Sequence, residues 1–92
     1  MDTYRQPVLV TTEHRGVFFG YLIEDNAPVS VTLTSTRNCL YWSKEVGGFM
    51  GLASLGPIGV SRVGAKTERV KLFDITSILD VSPEAEKVWN QK

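Results

Sequence analysis

The chain has 92 residues, of which 42% are hydrophobic and 10% aromatic, and its ten basic and ten acidic residues cancel to a formal net charge of zero. This composition is typical of one folded domain with a single core, and the neutral charge argues against coating nucleic acid or an anionic membrane through bulk electrostatics. We therefore predict a single domain over residues 1–92, with frayed ends at residues 1–5 and 91–92.

The first half of the sequence predicts a β-meander. Short apolar or alternating runs are separated by polar turns, which is the pattern of consecutive strands. Gly20 interrupts the second run and indicates a bulge or bend. The third run alternates strictly, so Ser30, Thr32 and Thr34 are expected on a solvent-facing side. The predicted strands are residues 7–11, 16–24, 29–34 and 37–42.

The second half predicts two helices around further strands. Phe49, Leu52 and Ala53 recur at helical spacing, so a short helix at 48–55 is expected to dock through them. Ser82 followed by a proline is a helix start signal, and Trp89 should anchor the helix that follows. The predicted elements are a weak strand at 59–66, strands at 68–73 and 75–81, and a helix at 83–90.

These elements predict a mostly β fold. The arrangement that we favour is a small, strongly bent meander or SH3-like barrel, with one short inserted helix and a C-terminal helix. The competing arrangement is an open α+β sheet with both helices on one face.

The residues capable of catalysis are sparse. The one cysteine, Cys39, cannot form an internal disulfide, and the one histidine, His14, lies far from it in sequence. A reduced, buried thiol in a cytoplasmic protein is the simplest interpretation. No metal-ligand spacing, phosphate-binding loop or signal peptide is found in the sequence. We expect a non-enzymatic protein without a metal or cofactor.

A ligand site is expected in the stretch between residues 37 and 56. From residue 37 to residue 71, six basic residues outnumber two acidic ones. Aromatic rings stack on bases, basic side chains hold phosphates, and main-chain N–H groups at a helix start attract anions. Alternation places Tyr41 and Trp42 on opposite sides, so at least one of them should belong to the core. The candidate ligand-binding residues are Arg37, Tyr41, Trp42, Lys44, Gly47, Gly48, Arg62 and Arg69.

Several short motifs lie along the chain: Gly16-Val17 with Gly20 and Leu22, Val31 with Leu33, Arg37 with Tyr41-Trp42-Ser43, Leu52-Ala53 with Gly56, and Glu84-Ala85. With these motifs the sequence resembles a family of short phage- and prophage-encoded proteins of unknown function. The resemblance covers nearly the whole chain and implies a phage setting, without implying an activity.

The phage setting that the resemblance implies leads us to expect, by analogy with other small phage proteins, an accessory protein that acts against host defence. We expect it to bind and sequester a small nucleotide-derived signal as a homo-oligomeric sponge in the host cytosol. The alternatives are a protein–protein interaction module that inhibits a host enzyme, through an edge strand or the helix face of Phe49 and Leu52, and a small RNA-binding barrel. A membrane partner is not expected, and nucleic acid is disfavoured by neutrality.

Overall fold

The computed structural model describes residues 6–13 and 16–92. In this part of the chain a short 3-10 turn at Lys44–Val46 precedes the first helix. The predicted N-terminal frayed end and His14 lie outside the described residues. The elements are β1 (Gln6–Thr12), β2 (Val17–Asn26), β3 (Ser30–Tyr41), α1 (Phe49–Ser54), β4 (Arg62–Val63), β5 (Thr67–Phe73), β6 (Ile75–Asp80) and α2 (Pro83–Gln91).

The strands form one open, antiparallel sheet. Its order is β4-β3-β2-β1-β6, and β5 pairs with β3 beside β4. Asp74 alone joins β5 to β6, and its φ of 58° is a left-handed conformation that turns the chain sharply. The predicted mostly β fold with one inserted and one C-terminal helix is confirmed. The sheet is open, however, and does not show the closed SH3-like barrel.

β3 replaces two of the predicted strands. Ser35 lies in its middle with a φ of 48°, so the strand bends there without ending. Pairing continues on both sides of the bend, with Thr34 opposite Arg69 and Thr36 opposite Thr67. The predicted break at Ser35-Thr36 was therefore wrong, because pairing with β5 holds the residues on both sides of the bend in one strand.

Gly20 allows β2 to follow the bend of β3. A Cβ atom at this position would lie 2.9 Å from the Cβ atom of Leu33, closer than real side chains approach. The register of β2 against β3 shifts between Phe19 and Tyr21, around the glycine. The bulge predicted at Gly20 is confirmed.

The predicted solvent-facing side of the third strand is wrong for two residues. Ser30 is 4% exposed and Thr32 is 2% exposed, whereas Val29 is 68% exposed and lies in the turn before β3. Burial of Thr32 is tolerated because its hydroxyl donates to the Glu24 carboxylate on β2 at 3.0 Å.

β1 is buried on both of its faces. Leu9 belongs to a first core cluster between the sheet and the helices, together with Phe19, Leu52 and Trp89. Val8 and Val10 point the other way, into a second cluster with Val31, Leu33, Leu72 and Ile75. The continuous apolar run of β1 is explained by this double burial.

The helices close the first core cluster. Leu52 and Ala53 are buried and Phe49 is partly buried, which confirms the predicted docking of α1. Ser82 caps α2 as predicted, since its hydroxyl accepts from the Ala85 N–H at 3.0 Å. Within residues 6–13 and 16–92, no helix is long and apolar enough to cross a membrane.

Candidate ligand-binding face

Two of the predicted ligand residues are neighbours at the end of β3. Tyr41 is the last residue of this strand, and its register partner on β4 is Arg62. The register of this pair shifts between Cys39 and Tyr41, so the pairing makes the two residues main-chain neighbours without fixing the face from which each side chain projects. Tyr41 is 53% exposed and Arg62 is also exposed. The structure therefore places two exposed residues, one with a phenol ring and one with a guanidinium group, at neighbouring main-chain positions.

A buried serine pair holds this strand end in place. The Ser43 N–H donates to the Ser61 hydroxyl oxygen at 2.9 Å. Both hydroxyls donate to the carbonyl of Ile58, at 3.2 Å from Ser43 and 2.6 Å from Ser61. Lys44 follows one serine and Arg62 follows the other. The hydrogen bonds between the serines therefore fix the main chain from which both cationic side chains extend.

A third cation reaches the same loop from the end of α2. The Lys92 ammonium donates to the carbonyl oxygens of Gly59 at 2.9 Å and Ser61 at 3.2 Å. Residue 92 had been predicted to fray, and it was not among the predicted ligand residues. We call the surface formed by Tyr41, Lys44, Arg62 and Lys92 the Tyr41 face.

One acidic side chain lies beside these cations. A hydrogen bond with the Ser43 side chain lowers the pKa of the exposed Glu45 carboxyl. Glu45 is also near the loop of Gly59, since its Oε1 atom would lie 3.1 Å from a Cβ atom placed there. The negative charge partly offsets the attraction of the Tyr41 face for an anion.

Arg37 is engaged with the main chain. Its Nε donates to the carbonyl of Gly64 at 2.9 Å, and its Nη1 donates to the carbonyl of Trp89 at 2.9 Å. The guanidinium therefore ties β3 to the segment after β4 and to the last turn of α2. A direct contact of Arg37 with a ligand stays a prediction.

Gly47 and Gly48 form the turn that leads into α1. Their φ angles of 80° and 84° lie in the left-handed region, which glycine adopts without strain. The Gly47 N–H already donates to the carbonyl of Lys44 at 3.2 Å. Since α1 has only six residues, its dipole offers little to an anion. The turn conformation accounts for glycine at both positions, and a role of these residues in ligand binding stays a prediction.

Trp42 and Arg69 lie away from the Tyr41 face. Trp42 is half-buried against the first core cluster, and with Phe49 it lines a cleft of about 440 Å³. Arg69 lies on β5 opposite Thr34, seven residues along β3 from Tyr41, and lines a separate depression that includes Ile23. The eight predicted residues thus do not form one site.

The thiol is poorly suited to nucleophilic chemistry. Cys39 is partly buried, and this burial raises the pKa of its thiol, while a hydrogen bond from the Tyr41 main chain opposes the shift. A raised pKa leaves the less reactive protonated form dominant at neutral pH. Residues 6–13 and 16–92 also contain no group of three or more His, Cys, Asp or Glu side chains that could hold a metal ion.

A family model for a domain of unknown function, DUF6948, matches residues 5–89. The chain belongs to this family. Comparisons with curated proteins and with solved structures give no match. The family match covers nearly the whole sequence, and it assigns no activity to the DUF6948 domain.

Two features of this DUF6948 domain were not predicted from its sequence. Lys92 is distant in sequence from the other cations, and only the path of α2 brings it to the Ser61 loop. The cleft beside Trp42 combines residues of β1, β6 and α1, so no local motif marks it. Its one local signal is the run of hydroxyl residues at Thr11-Thr12 and again at Thr76-Ser77.

Proposed function

We propose that this DUF6948 protein binds a small nucleotide-derived signal at the Tyr41 face. The observation that carries the proposal is the main-chain pairing of Tyr41 with Arg62, which makes a residue with an exposed aromatic ring the neighbour of a residue with an exposed guanidinium. A base stacked on such a ring gains about 1–3 kcal/mol. The neighbouring guanidinium matches the geometry of a phosphate and forms charge-assisted hydrogen bonds with it.

Local rather than global charge supports a small ligand. Lys44 follows Ser43 in the chain and the Lys92 ammonium is bonded to the carbonyls of Gly59 and Ser61 in the loop before Arg62, so two more cationic residues are near the pair, while the whole chain has no net charge. A long nucleic acid is attracted by an extended basic surface, whereas a small phosphate ester needs only a few cations at one point. The distribution of charge therefore favours a nucleotide-sized anion.

A homo-oligomer is the second part of the proposal. The Tyr41 face is open, so a ligand lying on it would be covered from one side only. Val60, in the loop that carries Arg62, is 72% exposed and offers an apolar contact beside the face. A second copy that packs here would cover the ligand and bury these side chains.

A phage accessory role completes the proposal. It is supported by the resemblance of the sequence to short phage-encoded proteins, together with the absence of any recognised catalytic motif in the sequence. A protein that sequesters a signal needs affinity and abundance, and no chemical step. Cyclic ADP-ribose variants and cyclic oligonucleotides are the signals that we place first, since both combine bases with phosphates.

Calorimetric titration against these nucleotides tests the proposal. We expect saturable binding to at least one of them, with Arg62→Ala and Tyr41→Ala each weakening it about tenfold or more, as lost stacking or phosphate contacts should. Tyr41→Phe keeps the ring and should bind nearly normally. Arg69→Ala is the matched control, because Arg69 is an exposed arginine on another surface. Absence of binding to every nucleotide, or equal loss in Arg69→Ala, contradicts the proposal.

Inhibition of a host enzyme through a protein interface is the alternative that one observation favours. Leu52 is fully buried, so the predicted face of Phe49 and Leu52 is used inside the domain. The outer side of α1 instead presents Met50 and Leu55, which are 66% and 47% exposed. Met50→Asp would abolish co-purification of a host protein under this alternative, and it would leave nucleotide binding unchanged under ours.

The third candidate, a small RNA-binding barrel, rests on the finer fold prediction. It requires the bent sheet to close between β5 and β6, which Asp74 joins directly. A salt-dependent gel shift with short single-stranded RNA would support it over the nucleotide proposal.

A further inference from the structure

A concave site separate from the Tyr41 face lies beside Trp42. It is the cleft of about 440 Å³ beside Trp42, which is bordered by β1, β6 and α1. Its volume falls within the range of roughly 300–1,000 Å³ that is usual for small-molecule sites. Tyr41 faces solvent and Trp42 packs on the core, so the two aromatic residues serve different surfaces.

Two aromatic side chains form the apolar part of the cleft. Trp42 and Phe49 are each partly buried and packed against the first core cluster. Because the core restrains them, these rings are held in position before any ligand arrives, which reduces the entropy lost on binding. Ring surfaces of this kind bind flat, unsaturated groups through stacking.

A row of hydroxyl groups forms the polar part. The Thr11 hydroxyl lies 2.7 Å from that of Thr76 and is also hydrogen-bonded to the hydroxyl of Ser77. Thr12 borders the same cleft and accepts from the Gly16 N–H at 3.1 Å. A hydroxyl can both donate and accept, so this row can pair with either kind of group on the edge of a heterocycle.

The lining of the cleft carries no charged side chain within the described residues. The cleft therefore offers no positive charge to a phosphate or carboxylate, and burial of such a charge in it would be unfavourable. A neutral ring with a polar edge satisfies both the aromatic and the hydroxyl parts. This combination distinguishes the cleft from the cationic Tyr41 face.

We infer that the Trp42 cleft binds a neutral planar heteroaromatic ring, of which a nucleobase is the representative. The ring stacks against Trp42 and Phe49, and its polar edge hydrogen-bonds to the hydroxyl row of Thr11, Thr76 and Ser77. This inference does not rest on the proposed function, because it uses none of the residues of the Tyr41 face. Under this inference, the affinity of a ligand for the cleft does not depend on a phosphate group.

Fluorescence of Trp42 provides a direct readout. The chain has two tryptophans, and Trp89 is fully buried and stacked on Phe19, so a ligand-induced change reports on Trp42. The probe is adenosine, with AMP and free ribose for comparison. We expect saturable quenching by adenosine, equal affinity for AMP, and no effect of ribose.

A filling variant locates the binding. Thr76 is exposed at the rim of the cleft, so Thr76→Phe should occupy it and weaken adenosine binding by about tenfold or more, as lost base stacking does. Thr67→Phe is the matched control, an exposed strand threonine elsewhere, and should bind normally. Phe49→Leu removes one ring but keeps the core apolar, and it should also weaken adenosine binding. It provides the test of the cleft if Thr76→Phe does not fold.

Three results would overturn the inference. They are an absence of saturable quenching by adenosine, adenosine affinity unchanged in both Thr76→Phe and Phe49→Leu, and AMP binding that needs its phosphate. The last result would assign the nucleotide to the Tyr41 face instead, so failure of this inference is distinguishable from failure of the proposed function.

Discussion

The indole ring of Trp89 on α2 is stacked on the phenyl ring of Phe19 on β2, with centroids 5.0 Å apart and planes 6° apart. Both side chains are fully buried, and the indole N–H donates to the carbonyl of Leu52 on α1 at 3.1 Å. One side chain thus joins the sheet to both helices. We expect it to be the main anchor of the C-terminal helix.

Substitution of Trp89 should be among the most destabilising changes in the domain. Trp89→Ala removes the stack and leaves a cavity, so the free energy of unfolding should fall by about 3–5 kcal/mol. Trp89→Phe keeps an aromatic ring and removes the hydrogen bond to the Leu52 carbonyl, which still accepts from the Gly56 N–H at 3.1 Å, so it should lose about 1 kcal/mol. Urea unfolding followed by circular dichroism measures both. Equal stability of Trp89→Ala and the native chain would show that α2 is held by other contacts.

Replacement of Arg37 should lower the free energy of unfolding. Arg37→Ala removes two charge-assisted bonds to main-chain carbonyls, and the free energy of unfolding should fall by about 2–3 kcal/mol. Arg62→Ala is the matched comparison, because its side chain is exposed, and it should change stability by less than about 0.5 kcal/mol. If Arg37→Ala is as stable as Arg62→Ala and loses nucleotide binding, Arg37 belongs to the ligand site after all.

Tyr21 should make stability depend on pH in the alkaline range. Its hydroxyl donates to the Glu86 carboxylate at 2.6 Å and accepts from the Asn90 amide at 3.1 Å. Burial, followed by the interaction with Glu86, raises the pKa of Tyr21. The unfolded chain then loses the phenol proton first, so the contribution to stability is complete below about pH 10 and is lost as pH rises through the raised pKa.

Tyr21→Phe tests this linkage. At neutral pH it should lower the free energy of unfolding by about 1 kcal/mol, and it should flatten the decline above about pH 10. Tyr41→Phe, at an exposed tyrosine, should preserve the alkaline decline. Denaturant titrations at a series of pH values give both slopes, and an unchanged decline in Tyr21→Phe would assign the effect to another group.

Two buried threonines on β3 should respond oppositely to valine. Thr32 donates to Glu24, so Thr32→Val should lose about 1 kcal/mol of stability. Thr36 is 2% exposed and its hydroxyl has no hydrogen-bond partner within residues 6–13 and 16–92. Thr36→Val should therefore leave stability unchanged or raise it by about 1 kcal/mol. A loss in Thr36→Val as large as that in Thr32→Val would reveal a partner for this hydroxyl.

Local patterns in the sequence predicted much of the fold, because the elements use local signals. The cap at Ser82, the docking residues Phe49 and Leu52, and the bulge at Gly20 all follow from periodicity or residue type. The continuity of β3 through Ser35 could not be predicted in this way. It depends on pairing with β5, which lies more than 30 residues further along the chain.

The candidate site was less predictable than the fold. Tyr41, Lys44 and Arg62 were identified by residue type and local charge, and the structure brings the first and last of them together. The bond of Arg37 to the Trp89 carbonyl and the position of Lys92 arise from α2 folding back on the sheet. Such contacts between distant segments leave no signal in a single sequence.

The most direct test of the Tyr41 face is a residue-resolved map of nucleotide binding by NMR. Main-chain amide shifts should be followed during titration with a cyclic dinucleotide and with cyclic ADP-ribose. We predict saturable shifts centred on Tyr41, Lys44 and Arg62, which disappear in Arg62→Ala and persist in Arg69→Ala. Shifts confined to the Trp42 cleft, or no saturable shift with either nucleotide, would contradict the proposed function.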